Sequence, residues 1–267
     1  MRKAGVRLPA MALSLISAAF VLTAFAVPAV ATPQATLKAK VRPEKLGAST
    51  AVSIAFHLHS DPGEAVPTIS NFALRLPRGI GFGASELGLA TCSESSLLSS
   101  GVRGCPQESL MGTGSALVQV PFSTQIVRER ARVFIFMARP VAEQTTTLFY
   151  FDGRRPVIAP LVLQSQIVTP EGSFNSILNT PVQAIPSAPD GPEGRMVALR
   201  STIGPSTLRY FRQVNHRRVA YRPEGLSLPN RCPRGGFRFA ASFRFRDGSQ
   251  THAYTSIPCP RQRKPER

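Results

Sequence analysis

This sequence has no Cys-x-x-Cys pair, no Gly-x-Ser-x-Gly and no glycine-rich phosphate or dinucleotide loop. The first absence removes the close ligand spacing usual in a structural zinc site. The second removes a serine-nucleophile elbow; Gly112-Thr113-Gly114-Ser115 has another spacing and precedes a strand, not a helix. The third removes the common cradles for nucleotide phosphates. Acidic residues are scarce, 15 against 32 Lys and Arg. Those before position 195 are scattered and mostly near turns, so no carboxylate pair suited to glycoside hydrolysis stands out. No catalytic residue is assigned, and nothing calls for a cofactor.

Beyond residue 27 no apolar run of membrane-spanning length occurs, and the C-terminus has no hydrophobic tail. The one long run does occur at the start. Arg2, Lys3 and Arg7 precede apolar residues 11–27, and Ala29-Val30-Ala31 fits a small-x-small cleavage site. Residues 1–31 therefore read as a secretory signal peptide cleaved after Ala31. Ala24-Phe25-Ala26 is a second candidate site, and an uncleaved anchor is the rival reading. With the leader removed, the mature chain is expected outside the cell with no membrane span.

Four cysteines in an exported chain read first as disulfides. Three pairings are open. The local one, Cys92–Cys105 with Cys232–Cys259, is favoured because each pair brackets its own motif. All four being so committed, thiol catalysis is not expected, and zinc is the rival for the same residues.

Charge is unevenly placed. The chain carries +17, with 27 Arg and 5 Lys. Residues 32–194 hold 13 basic against 12 acidic side chains, whereas residues 195–267 hold 16 against 3. Such a region can attract anionic cell-wall or surface polymers. The plainer reading is a set of solvated strand faces rich in arginine.

What the chain has in abundance is alternation. In the stretch from Cys232 to Cys259, Phe237, Phe239, Ala241, Phe243 and Phe245 share one parity, while Arg238, Ala240, Ser242, Arg244 and Arg246 share the other. Period two with apolar and polar faces predicts a half-buried antiparallel strand. Asp247-Gly248 turns it, and residues 251–257 return. The same period recurs at 37–41, 51–59 and 71–76. Further strands are expected after Cys105 through Val120, then at 132–137, 145–151, 157–168 and 195–203. Pro160 demands an edge or a bulge. Residues 208–214 and 219–228 read as another pair around Asn215-His216-Arg217-Arg218, with a helix over 207–219 as the alternative. A short helical turn ended by Gly101 fits between Cys92 and Cys105. Proline-rich residues 180–194 suggest a long loop or linker.

Two groups of side chains merit a functional reading. His57-Leu58-His59 places two imidazoles on one strand face, a geometry suited to a divalent metal, with Glu64 nearby in sequence. No third histidine stands at a matching spacing, so this is a weak metal candidate. Arg238, Arg244 and Arg246, together with Arg217 and Arg218, form a candidate anion-binding set if the fold brings them together. The phenylalanines beside them belong to the opposite parity and are expected in the core. That argues against base stacking and hence against specific nucleic-acid recognition.

One pattern joins these features: Leu76-Pro77-Arg78-Gly79-Ile80, Cys92, then Cys105-Pro106-x-x-Ser109-x-x-Gly112-x-Gly114-x-Ala116. It resembles a pattern in exported actinobacterial β-rich proteins. Their C-terminal regions are similar to Leu226-Ser227-Leu228-Pro229-Asn230-Arg231-Cys232-Pro233 and the alternating stretch that closes at Cys259. The resemblance implies secretion and a β-rich fold, and carries no catalytic residue.

These observations predict an all-β, disulfide-stabilised antiparallel β-sandwich with Greek-key-like connections and little helix. Residues 32–194 form its β-rich region, and residues 195–267 a basic β-meander of the same sandwich with a short tail at 260–267. The expected role is a non-catalytic secreted or cell-surface structural or binding protein. The alternative is a secreted hydrolase or metal-dependent enzyme using His57 and His59.

Overall fold

The alternating phenylalanines sit where their parity predicts. In the computed structural model, Phe237, Phe239, Phe243 and Phe245 are all buried, and Arg238 and Arg244 are exposed. The structure describes residues 33–260 except 63, 82–85, 123–124, 155–159, 170–173 and 186–192. The leader, the tail beyond 260 and the middle of the proline-rich stretch lie outside the described residues.

In chain order the strands are β1 (Gln34–Arg42), β2 (Ser49–His59), β3 (Ile69–Pro77), β4 (Leu110–Phe122), β5 (Gln125–Met137), β6 (Thr145–Asp152) and β7 (Pro160–Val168). They continue with β8 (Phe174–Pro181), β9 (Arg195–Ile203), β10 (Tyr210–Val214), β11 (Arg217–Tyr221), β12 (Leu226–Ser227), β13 (Phe237–Phe245) and β14 (Gln250–Ile257). Among the described residues one helix, α1 (Glu94–Ser100), occurs with three short 3-10 turns. Pro160 opens its strand, the position where a missing N–H costs least.

Eleven of these strands form a single sheet in the order β1-β2-β9-β4-β5-β6-β7-β8-β3-β13-β14, and β12 adds to β2. A meander runs from β4 to β8. Around it, β3 and β9 enter from elsewhere in the chain, which gives the Greek-key character. Strands β9, β13 and β14 of the basic region thus interleave with strands of the first region.

Every neighbouring pair is antiparallel. Strand direction therefore alternates along the order, and with an odd count the first and last strands run the same way. β1 and β14 lie side by side, yet they share no ladder among the described residues. The sheet is nearly closed, with one parallel seam.

Curling places opposite walls in contact. Phe56 of β2 packs 5.1 Å from Phe72 of β3 and 4.9 Å from Phe243 of β13, centroid to centroid. The interior is filled by Leu, Ile, Val and Phe from all the walls. Two apolar cavities lined by described residues measure about 40 and about 20 Å³. That is room for water-sized occupants, not for a lipid chain.

Two features explain local motifs. Gly112 and Gly114 lie where a side chain would run into the carbonyl oxygens of Thr202 and Arg200, so the pair lets β4 and β9 approach closely. The Cys92–Cys105 loop lays α1 on the outer face of the sheet over β6 and β7. There Leu97 packs with Phe136, Leu148, Tyr150 and Val162 in a second small core. Ser93 caps the helix by accepting the Ser96 N–H at 3.1 Å, and Gly101 ends it with φ 61°. Both disulfides form with the local pairing, Cys92–Cys105 and Cys232–Cys259, and no cysteine is left free. Among the described residues no helix is long and apolar enough to cross a membrane.

Candidate anion-binding groove

His57 and His59 stand on the outer face of β2, as alternation requires. Their ring centroids are 6.0 Å apart. Nε2 of His59 lies 3.2 Å from Oε1 of Gln34 on β1, and its Nδ1 has no partner among the described residues. His216 occupies the β10–β11 turn, and His252 lies on β14. Among the described residues no three His, Cys, Asp or Glu side chains gather in a metal-holding group.

The C-terminal arginines are spread over separate elements. Arg238 and Arg244 point outward from β13 but are six residues apart, about 20 Å along a strand. Between them Ser242 accepts a 2.7 Å hydrogen bond from Arg75 of β3. Arg246 lies past a bulge in the β3–β13 ladder, with Nε 2.9 Å from a Glu193 carboxylate oxygen. Arg217 and Arg218 belong to β11, which pairs with β10 in a sheet of its own. The five are thus divided among β13, the residues just past it and β11.

The fold instead gathers cations from farther apart in sequence. β9 inserts between β2 and β4, and the registers then align two outer-face rows across five strands. One row runs Lys38, Ala55, Arg200, Ser115, Arg132. The other runs Thr36, His57, Ala198, Leu117, Arg130. Strand spacing makes each row about 19 Å long. Small side chains at Ala55, Ala198 and Ser115 leave a depression about 400 Å³ in volume. Lys38, His57, Arg130 and Arg200 stand exposed around it, and no carboxylate is among its lining residues.

Lys38, Arg130 and Arg200 make no ion pair among the described residues, so their charge is available to a ligand. Arg132, at the end of the first row, is bound instead to Asp152, which also pairs with Arg154 at 3.1 Å. Burial pushes the Asp152 carboxyl up, but hydrogen bonds from Arg154 and Arg132 outweigh it and hold it below the usual range. Asp152 thus neutralises the two arginines at and beyond the end of that row. A second surface depression, about 450 Å³ beside the Cys92–Cys105 loop, contains both Glu94 and Arg139 and has no single sign.

Chemically, the groove offers two guanidinium forks, an ammonium, an imidazole and the Thr36 and Ser115 hydroxyls along an extended floor. Guanidinium planes match the oxygen pairs of phosphate, sulfate or carboxylate. Reading the sequence alone identified only His57 of this group. The one available signal was alternation, which puts Lys38, Arg130 and Arg200 on outer faces without saying that those faces adjoin.

Comparison of the chain with protein-family models, curated proteins and solved structures gives no significant match. The functional reading therefore rests on the groove.

Proposed function

We propose that this is a secreted or cell-surface binding protein, without catalytic activity, whose ligand is an anionic polymer such as a phosphate- or sulfate-bearing cell-wall glycan. The observation that carries this reading is a groove ringed by Lys38, His57, Arg130 and Arg200 with no carboxylate in its lining. The leader-like residues 1–31 and the two disulfides support an extracytoplasmic setting. A filled interior favours surface recognition over carriage of a small apolar ligand.

The test is binding of mature protein to immobilised dextran sulfate and to poly(glycerol phosphate) across a salt series. Binding should weaken steeply as salt shortens the screening length from about 10 Å at 0.1 M. Arg130→Glu with Arg200→Glu should weaken it about tenfold, equivalent to ~1.4 kcal/mol. Arg238→Glu with Arg244→Glu should change it less than about twofold, since those side chains lie outside the groove. Salt-independent binding, or equal losses in the two double variants, would overturn the assignment.

A further inference from the structure

The β10–β11 hairpin stands apart from the barrel. Among the described residues its two strands pair only with each other, in the register Tyr210↔Tyr221, Arg212↔Val219 and Val214↔Arg217. Asn215 and His216 both have positive φ, 48° and 62°, as a tight two-residue hairpin turn demands.

The root is fixed and the tip is bare. Tyr210 is 0% exposed; its hydroxyl donates to the Leu110 carbonyl and accepts the Gly88 N–H at 3.3 Å. Gln107 adds a 2.8 Å hydrogen bond to the Arg209 carbonyl. Beyond Phe211 every residue from Arg212 to Ala220 is exposed. That segment holds Arg212, Arg217 and Arg218 and no carboxylate, and Arg209 and Arg222 flank the hairpin. Glu86 and Glu108 act on Tyr221 near the root, and Glu224 follows the hairpin in the chain.

Exposed apolar side chains lie among these charges. Val214 is 42% and Val219 41% exposed. By the register they share one face with Arg212 and Arg217, valine diagonal to valine and arginine diagonal to arginine. A soluble polyanion rewards the arginines alone. The boundary between headgroups and acyl chains rewards both kinds of side chain at once. Base stacking fits poorly, because Arg218 already covers the Phe211 ring at 4.0 Å and Arg212 lies over Tyr221 at 5.3 Å.

We infer that the β10–β11 hairpin is a membrane-contact arm. It sets Val214 and Val219 into the interfacial layer of a bilayer rich in anionic phospholipid while its arginines hold the headgroup phosphates. The arm uses different residues from the groove, so either can fail without the other.

The experiment is co-sedimentation of full-length mature protein with vesicles of pure phosphatidylcholine or of phosphatidylcholine with phosphatidylglycerol. Wild-type protein should sediment with the anionic vesicles only, and less as salt rises. Val214→Ser with Val219→Ser should weaken that binding about fivefold while leaving dextran sulfate binding unchanged, which also shows that the variant is folded. Arg217→Glu with Arg218→Glu should abolish vesicle binding. The arm is ruled out by equal binding to neutral vesicles, by no vesicle binding, or by a valine variant that binds like wild type. Loss on Arg130→Glu with Arg200→Glu but not on the arm substitutions would likewise rule it out and assign the lipid phosphates to the groove.

Discussion

The two hairpins of the basic region, β13–β14 and β10–β11, are both antiparallel pairs rich in aromatic residues and arginine. In β13 four phenylalanines and Ala241 occupy alternate positions along the strand and enter the barrel, and the arginines face solvent on the other side. In β10–β11 arginines occur on both faces, and they lie directly over Phe211 and Tyr221. The first hairpin has a strict period and is a wall. The second breaks the period and is an arm. The order of residue types along a strand therefore separates structural hairpins from surface ones where composition does not.

Substitutions should separate the two in the same way. The largest effect is expected in the wall: Phe243, 1% exposed and packed on Phe56 and Phe72, should cost about 3–5 kcal/mol when changed to Ala, read by urea unfolding. A cost near that of a surface change would remove β13 from the core.

An intermediate effect is expected at the root of the arm. Burial raises the Tyr210 hydroxyl from 10.0 to about 12. The folded chain keeps that proton after the unfolded chain has lost it. The stabilisation is complete below pH 10 and drains away as pH rises through about 12. Ultraviolet titration should show a late-ionising tyrosine that disappears in Tyr210→Phe, and this variant should lose about 1 kcal/mol at neutral pH. A titration unchanged by the substitution would mean that the arm is not anchored through Tyr210.

The smallest effect is expected farther along the arm. Arg218→Ala removes a guanidinium over Phe211 in full solvent and should shift stability by no more than about 1 kcal/mol. A larger loss in the same unfolding assay would make the arm part of the folded core and erase the contrast.

The sequence made some of this legible because the relevant contacts are local. Alternation in Phe237–Phe245 and in Ser49–His59 needs only neighbouring residues, and so do the turn at Asp247-Gly248 and both disulfide loops. Strand β5 was visible only from Arg132 onward. Its first half carries Arg128, Glu129 and Arg130, and charged residues on both faces obscure the period. The groove could not be read at all. Lys38, Arg130 and Arg200 come from strands far apart in the chain, and only the insertion of β9 between β2 and β4 makes them neighbours. Nearness in sequence suggested the C-terminal arginines as a set; the fold distributes them over β13, the residues past its bulge, where Arg246 pairs with Glu193, and β11.

The odd number of strands gives the molecule a polarity that an even, fully closed antiparallel barrel lacks. The first and last strands run side by side in the same direction. The chain therefore enters β1 at one pole and leaves β14 at the opposite pole, about 30 Å away. A tether on the N-terminal side and a load on the C-terminal side would pull along the seam, sliding β1 past β14. The line where the sheet fails to close is also the line along which it would carry tension.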